Sequence, residues 1–254
     1  MKRYLVLLVP FLCSLAFGQG MVIGPKTVIV PNTVLSPGSV PAPTLRQAAV
    51  QATGFSSYTV ALGSSASLGD TILAFGAWTN QTATLTSFAT TGCTTGTWTY
   101  VNNPTHLSTT QTFVQGYATV SSAGTCTLTM TLSASSFTAG IAMMDCANCG
   151  AFDVSAAQGQ SSPGTGANAV SSGNMSATAG DFIGCGVFSL GNGSTSGLTA
   201  GTGFTGSPAS QFYDGSGDSI YNEYLVPASG GSVAGTFTTT VSFQSFLTGC
   251  MAFK

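Results

Sequence analysis

The chain carries one alternating pattern twice, 111 positions apart, and this duplication limits its folds more than any other feature. Cys126, Leu128, Met130 and Leu132 alternate with Thr127, Thr129 and Thr131; further on, Phe237, Thr239, Val241 and Phe243 alternate with Thr238, Thr240 and Ser242. A period of two sends neighbouring side chains to opposite faces of a strand, so each segment reads as a half-buried strand. Gly-Thr opens both (Gly124-Thr125, Gly235-Thr236), Ser-Phe follows both (Ser136-Phe137, Ser245-Phe246), and apolar segments at 141–144 and 250–253 close both. Earlier landmarks keep the same order. Gly69-Asp70 matches Gly180-Asp181, Gly96-Thr97-Trp98-Thr99 matches Gly201-Thr202-Gly203-Phe204-Thr205, and Tyr117 matches Tyr224. Gly-Thr and Ser-Phe pairs are cheap in a Ser/Thr-rich chain, but collinear order argues for one β unit written twice.

The pattern predicts strands over 47–52, 58–62, 71–78, 97–101, 112–120, 125–132 and 140–144, then over 153–157, 174–177, 182–190, 220–226, 235–243 and 247–253. Gly, Ser, Asn and Pro clusters separate nearly all of them, and no segment holds helical periodicity over three turns. Many short strands at such spacing indicate an all-β fold. The expectation is a single antiparallel β-sandwich of jelly-roll type, its halves related by a pseudo-two-fold; the alternative is two tandem immunoglobulin-like domains. The Gly/Ser stretch 158–173 is the one candidate linker between halves. The segment from about Thr44 to Lys254 resembles the Gly/Ser/Thr-rich β-sandwich domains of exported bacterial proteins, and is similar in outline to concanavalin-like lectin and laminin-G-type sandwiches. The likeness rests on the Gly-Asp strand starts, the Asp218-Ser219-Ile220-Tyr221-Asn222-Glu223-Tyr224 stretch and the closing Met251-Ala252-Phe253-Lys254. It implies a fold and carries no catalytic or ligand motif.

Met1-Lys2-Arg3, the apolar run to Phe17 and the small residues Ala16 and Gly18 read as a secretory signal over 1–18. The apolar run is too short for a comfortable span, so the mature form is expected not to cross a membrane. Prolines 25, 31, 37, 41 and 43 make 19–43 an extended arm or linker. The sandwich then occupies 44–254. Cleavage removes two of five basic residues and leaves three against seven acidic ones. Such a chain neutralises no phosphate backbone, which argues against nucleic acid and anionic lipid as partners. Six cysteines remain, an even number suited to an exported, disulfide-forming chain. Fifteen pairings are open; Cys185–Cys250, Cys93–Cys126 and Cys146–Cys149 is the preferred set, because the repeat places Cys185 and Cys250 in one neighbourhood.

Chemistry is sparse. His106 is the sole histidine, without a Gly-x-Ser-x-Gly elbow, and so makes a poor triad or zinc site. Asp214, Ser216 and Asp218 present alternate oxygens that suit a weak calcium loop, although an ordinary Asp/Gly/Ser turn explains them as well. Apart from that calcium, no cofactor is expected. Sugar-binding surfaces use exposed aromatics beside amides. Trp78, Asn80, Gln81, Trp98, Tyr100 and Tyr213 are the candidates, against the reading that most of these rings fill the core. The expected function is that of a secreted, non-enzymatic surface or adhesive module. A carbohydrate-binding module for an extracellular glycan or cell-surface component is the alternative, and a secreted hydrolase the remote one.

Overall fold

Strands β2 (Thr71–Trp78) and β10 (Phe182–Ser189) are buried at every residue, which a strand achieves only when both of its faces are covered. The architecture follows from that demand. In the computed structural model, residues 41–80, 82–107, 111–161, 164–189, 197–207, 219–240 and 245–254 are described. No helix occurs among them. Around β2 stand β1 (Thr44–Ala61), β3 (Leu85–Thr91), β4 (Thr94–Thr95), β5 (Thr99–Leu107), β6 (Gln111–Ser122) and β7 (Thr127–Ala147). Around β10 stand β8 (Phe152–Ser161), β9 (Gly166–Ala177), β11 (Thr199–Ala200), β12 (Thr205–Gly206), β13 (Ser219–Leu225), β14 (Gly231–Thr239) and β15 (Ser245–Phe253). One sheet runs β1-β7-β2-β6-β4, with β3 on β7 and β5 on β6; a second runs β12-β13-β10-β15-β8 and a third β11-β14-β9. Pairing is antiparallel throughout, so the all-β antiparallel class expected from the pattern is what forms.

Register exposes the duplication. Leu73 pairs with Tyr117 as Gly184 pairs with Tyr224, and Thr99 pairs with Tyr117 as Thr205 pairs with Tyr224. Strand β2 sits between β6 and β7 as β10 sits between β13 and β15. The long β1 and β7 are each represented twice in the second half, by β8 with β9 and by β14 with β15. Leu128 and Thr239, both buried, lie on the corresponding strands β7 and β14. The turns that launch β2 and β10 are copies as well: Ser67 N donates to Asp70 Oδ2 at 2.7 Å, Thr178 N donates to Asp181 Oδ2 at 2.7 Å, and Gly69 and Gly180 take φ of 89° and 85°. A positive φ of that size favours glycine, which explains the repeated Gly-Asp.

Three apolar clusters divide the interior. Ile72, Ala74, Val114, Leu128 and Ile141 fill the first half, and Ile183, Val187, Val170, Phe237 and Ala252 fill the second. Between them, Leu73, Phe75, Phe113, Phe188, Leu247 and Phe253 form a shared core. The alternate residues of β2 thus supply two cores at once, whereas independent tandem domains would share none. Strand β7 touches β13 and β6 touches β15, the reciprocal contacts of a pseudo-two-fold interface. A methyl added at Gly184 would strike Leu73 and one at Gly186 would strike Phe75, so equivalent residues face each other and β2 and β10 run in the same direction.

One expectation needs correction: most of 158–173 is strand, not linker. Gln158 to Ser161 pair with β15, and Gly166, Val170 and Ser171 with β14. The connection between halves is the short segment 148–151. Three disulfides form, Cys93–Cys126, Cys146–Cys149 and Cys185–Cys250, the preferred set.

Candidate functional site

Because β2 and β10 run in the same direction, their Asp turns lie at one end of the central sandwich, and described charge collects there. Arg46 of β1 forks onto Asp70, Nε to Oδ2 at 2.9 Å and Nη2 to Oδ1 at 3.2 Å, and its Nε lies 3.7 Å from Asp145 Oδ2. Gln47 Nε2 donates to the same Asp145 oxygen at 3.1 Å. Asp145 is fully buried. Burial pushes its carboxyl up to about 6, with Asp70 adding to the rise and Gln47 and Arg46 opposing it. The second half repeats the cluster with its charges exchanged. The β8 position equivalent to Arg46 is Asp153, and the cation comes from Lys254, whose Nζ lies 3.0 Å from Asp153 Oδ1. Thr178 Oγ1 donates to Asp153 Oδ2 at 3.2 Å. The Lys254 contact holds Asp153 below its usual range, while burial raises Asp181 beside it.

The same end holds the connector. Cys146–Cys149 closes it, Thr71 Oγ1 donates to Cys149 O at 3.3 Å, Gly150 N donates to Lys254 O, and Lys254 N donates to Ala151 O at 3.0 Å. Asn148 Nδ2 reaches Ala42 O at 3.3 Å. Two carboxyl pairs, a cation for each, a disulfide and the exchange between halves are therefore one clamp. A glycosidase needs two carboxyls across an open sugar cleft; Asp70 and Asp145 instead share the partly exposed guanidinium of Arg46. Asp70→Ala removes the fork and the acceptor of Ser67 N, and lowers stability by roughly 2 kcal/mol, most of it from the orphaned N–H because Arg46 is 38% exposed. Asp181→Ala orphans Thr178 N in the same way and loses the contact with Asp153 but breaks no fork to a guanidinium, so it costs somewhat less, about 1–1.5 kcal/mol. Urea unfolding of the two variants checks the order.

The described aromatic candidates, Trp78, Trp98 and Tyr100, do not form a platform. Trp78 is 1% exposed, belongs to the first core and donates Nε1–H to Ala83 O at 3.1 Å, so its reading as a ligand residue is corrected to a core residue. Trp98 is half-buried and lies 5.4 Å from the Phe88 ring. Tyr100 is 40% exposed, yet its hydroxyl accepts from Phe88 N at 3.0 Å and covers the outer edge of β3. Asn80 ties down the bend in β7: Nδ2 donates to Ser135 O at 2.8 Å while Oδ1 accepts from Thr82 N and Oγ1. Gln81, Tyr213, Asp214, Ser216 and Asp218 lie outside the described residues, as does the side chain of His106 on β5.

Sequence reasoning missed a further group. Glu223 of β13 is fully buried, with Oε2 accepting from Gly201 N at 2.8 Å and Oε1 from Thr236 N at 3.0 Å. It joins the β10 sheet to the β14 sheet through the interior of the second half. Burial pushes it up to about 8 against those two bonds. No group of three His, Cys, Asp or Glu side chains among the described residues is placed to hold a metal ion. No protein-family model, curated protein or solved structure matches the chain.

Proposed function

We propose that the chain is an exported, non-enzymatic surface module that acts by adhesion or assembly. The observation that carries this reading is where polarity lies: the described charged side chains are engaged in the clamp or buried at Glu223, and the outer faces carry neutral hydroxyls. On one side Thr59 and Ala89 flank Thr129, and Thr91 flanks Thr127; on the other Thr199 flanks Thr238. Contacts made by such faces depend on shape and hydrogen bonding, and salt screens them little. Disulfide staples and a clamped connector suit a module held outside the cell.

The test is retention of beads coated with mature protein on cell envelopes and polysaccharide particles at low and high salt. Retention that survives high salt supports the reading. Loss of retention in salt, or turnover of glycoside or ester substrates by the same preparation, overturns it. A glycan array separates the lectin alternative: selective hits abolished by Tyr100→Ala would favour that reading over general adhesion.

A further inference from the structure

Five described carboxyls, Asp70, Asp145, Asp153, Asp181 and Glu223, meet only two described cations, Arg46 and Lys254. Glu223 meets neither: it accepts two backbone N–H groups, and no charged side chain among the described residues is bonded to it. Asp145 faces Arg46 and Gln47 of β1 and Asp70 at the start of β2, so one guanidinium serves two carboxyls, and Asp145 Oδ1 has no hydrogen-bond partner. A carboxylate shut from water without a cation of its own is costly, and a proton relieves that cost.

We propose that the folded chain holds protons at Asp145 and Glu223 which the unfolded chain releases, so that the module tightens as its surroundings acidify. This goes beyond the surface-module reading and stands or falls separately. The direction follows from the geometry and agrees with the upward shifts at both groups. A carboxyl whose folded affinity for protons exceeds its unfolded affinity stabilises the fold at low pH, and that stabilisation is lost as pH rises from the unfolded to the folded value. For Asp145 the window runs from 3.8 to about 6. For Glu223 it runs from 4.5 to about 8. Asp181 adds in the same sense; Asp153, held low by Lys254, has the opposite sign but acts only below the usual carboxylate range.

The test is equilibrium urea unfolding of the disulfide-intact mature protein between pH 5 and 8, in a His106→Gln background that removes the chain's one imidazole. The unfolding constant is expected to rise about tenfold per pH unit wherever a single proton is released. Asp145→Asn should roughly halve the slope below pH 6, where Glu223 still releases its proton, and leave the part between 6 and 8 unchanged. Glu223→Gln should flatten the part between 6 and 8 and lower the slope below pH 6 as well. Should either variant fail to fold, unfolding the His106→Gln parent in weakly buffered medium at pH 7 gives a direct reading: close to one proton released per chain supports the proposal. Stability that is level or rises from pH 5 to 8, or unfolding without proton release, overturns it.

Discussion

Phe75→Ala lowers stability by about 3–5 kcal/mol, the usual cost of emptying a phenylalanine site in a core that cannot collapse. Phe75 is fully buried in the core shared by the halves, 6.4 Å from the Phe113 ring, and its space is bounded on the far side by Gly186. A Cβ placed on Gly186 would lie 2.9 Å from Phe75 Cγ and 3.2 Å from its Cβ, close to the stiff root of the side chain. Gly186→Phe in the native background is thus severely destabilising as well. Yet Phe75 and Gly186 are equivalent positions on strands that face each other across the pseudo-axis. Phe75→Gly combined with Gly186→Phe moves the ring to the other half while keeping one ring and one gap at the contact. If the halves meet through a pseudo-two-fold, the double variant recovers much of the loss, with a coupling of roughly 2 kcal/mol or more between the sites. Losses that simply add would mean that the two strands do not meet symmetrically.

The same contact explains which parts of the fold were legible from composition and spacing. Strand β2 was legible because both of its faces are buried, leaving the nearly unbroken apolar run from Ile72 to Ala77. The duplication was legible at Tyr117 and Tyr224 and at Thr99 and Thr205, which pair with each other in the same way in both halves. It slipped in the closing strands. Spacing aligns Ile141 with Cys250, whereas pairing with β2 and β10 puts Met143 there, two residues along and on the same face. The bend after Leu132 is held by Thr79, Asn80 and Thr84 against Ser133, Ser135 and Ser136, residues whose polarity gives no alternating signal. Most of β9 has no strand signature in the sequence because its Gly, Ser and Asn residues carry no apolar alternation; its conformation comes from the ladder to β14. Trp78 looked exposed because Asn80 and Gln81 follow it, but a turn folds Ala83 back over its indole. The clamp had no local signature at all. Arg46 and Asp70 stand 24 positions apart, and their meeting depends on β1 and β2 both flanking β7.

Removing the Cys185–Cys250 bridge by paired Cys→Ala substitution has the other largest expected effect, roughly 4 kcal/mol from the 65-residue separation it closes. The two residues pair directly across β10 and β15, are fully buried, and pack on Gly235, where any side chain would run into both sulfurs. The cavity left by two alanines adds to the loss, since Gly235 offers no side chain to fill it. Cys146–Cys149, only three residues apart, closes so short a loop that its removal costs about 1.5 kcal/mol of global stability. Its effect is largest locally: exchange of the Gly150 and Lys254 amides accelerates, while the midpoint of urea unfolding moves much less than on loss of Cys185–Cys250. Measured side by side, the two double variants separate a bridge that stabilises the second half from one that fixes the joint between halves. Equal losses from both would show that the connector is part of the cooperative core, and that the halves unfold only together with the clamp that joins them.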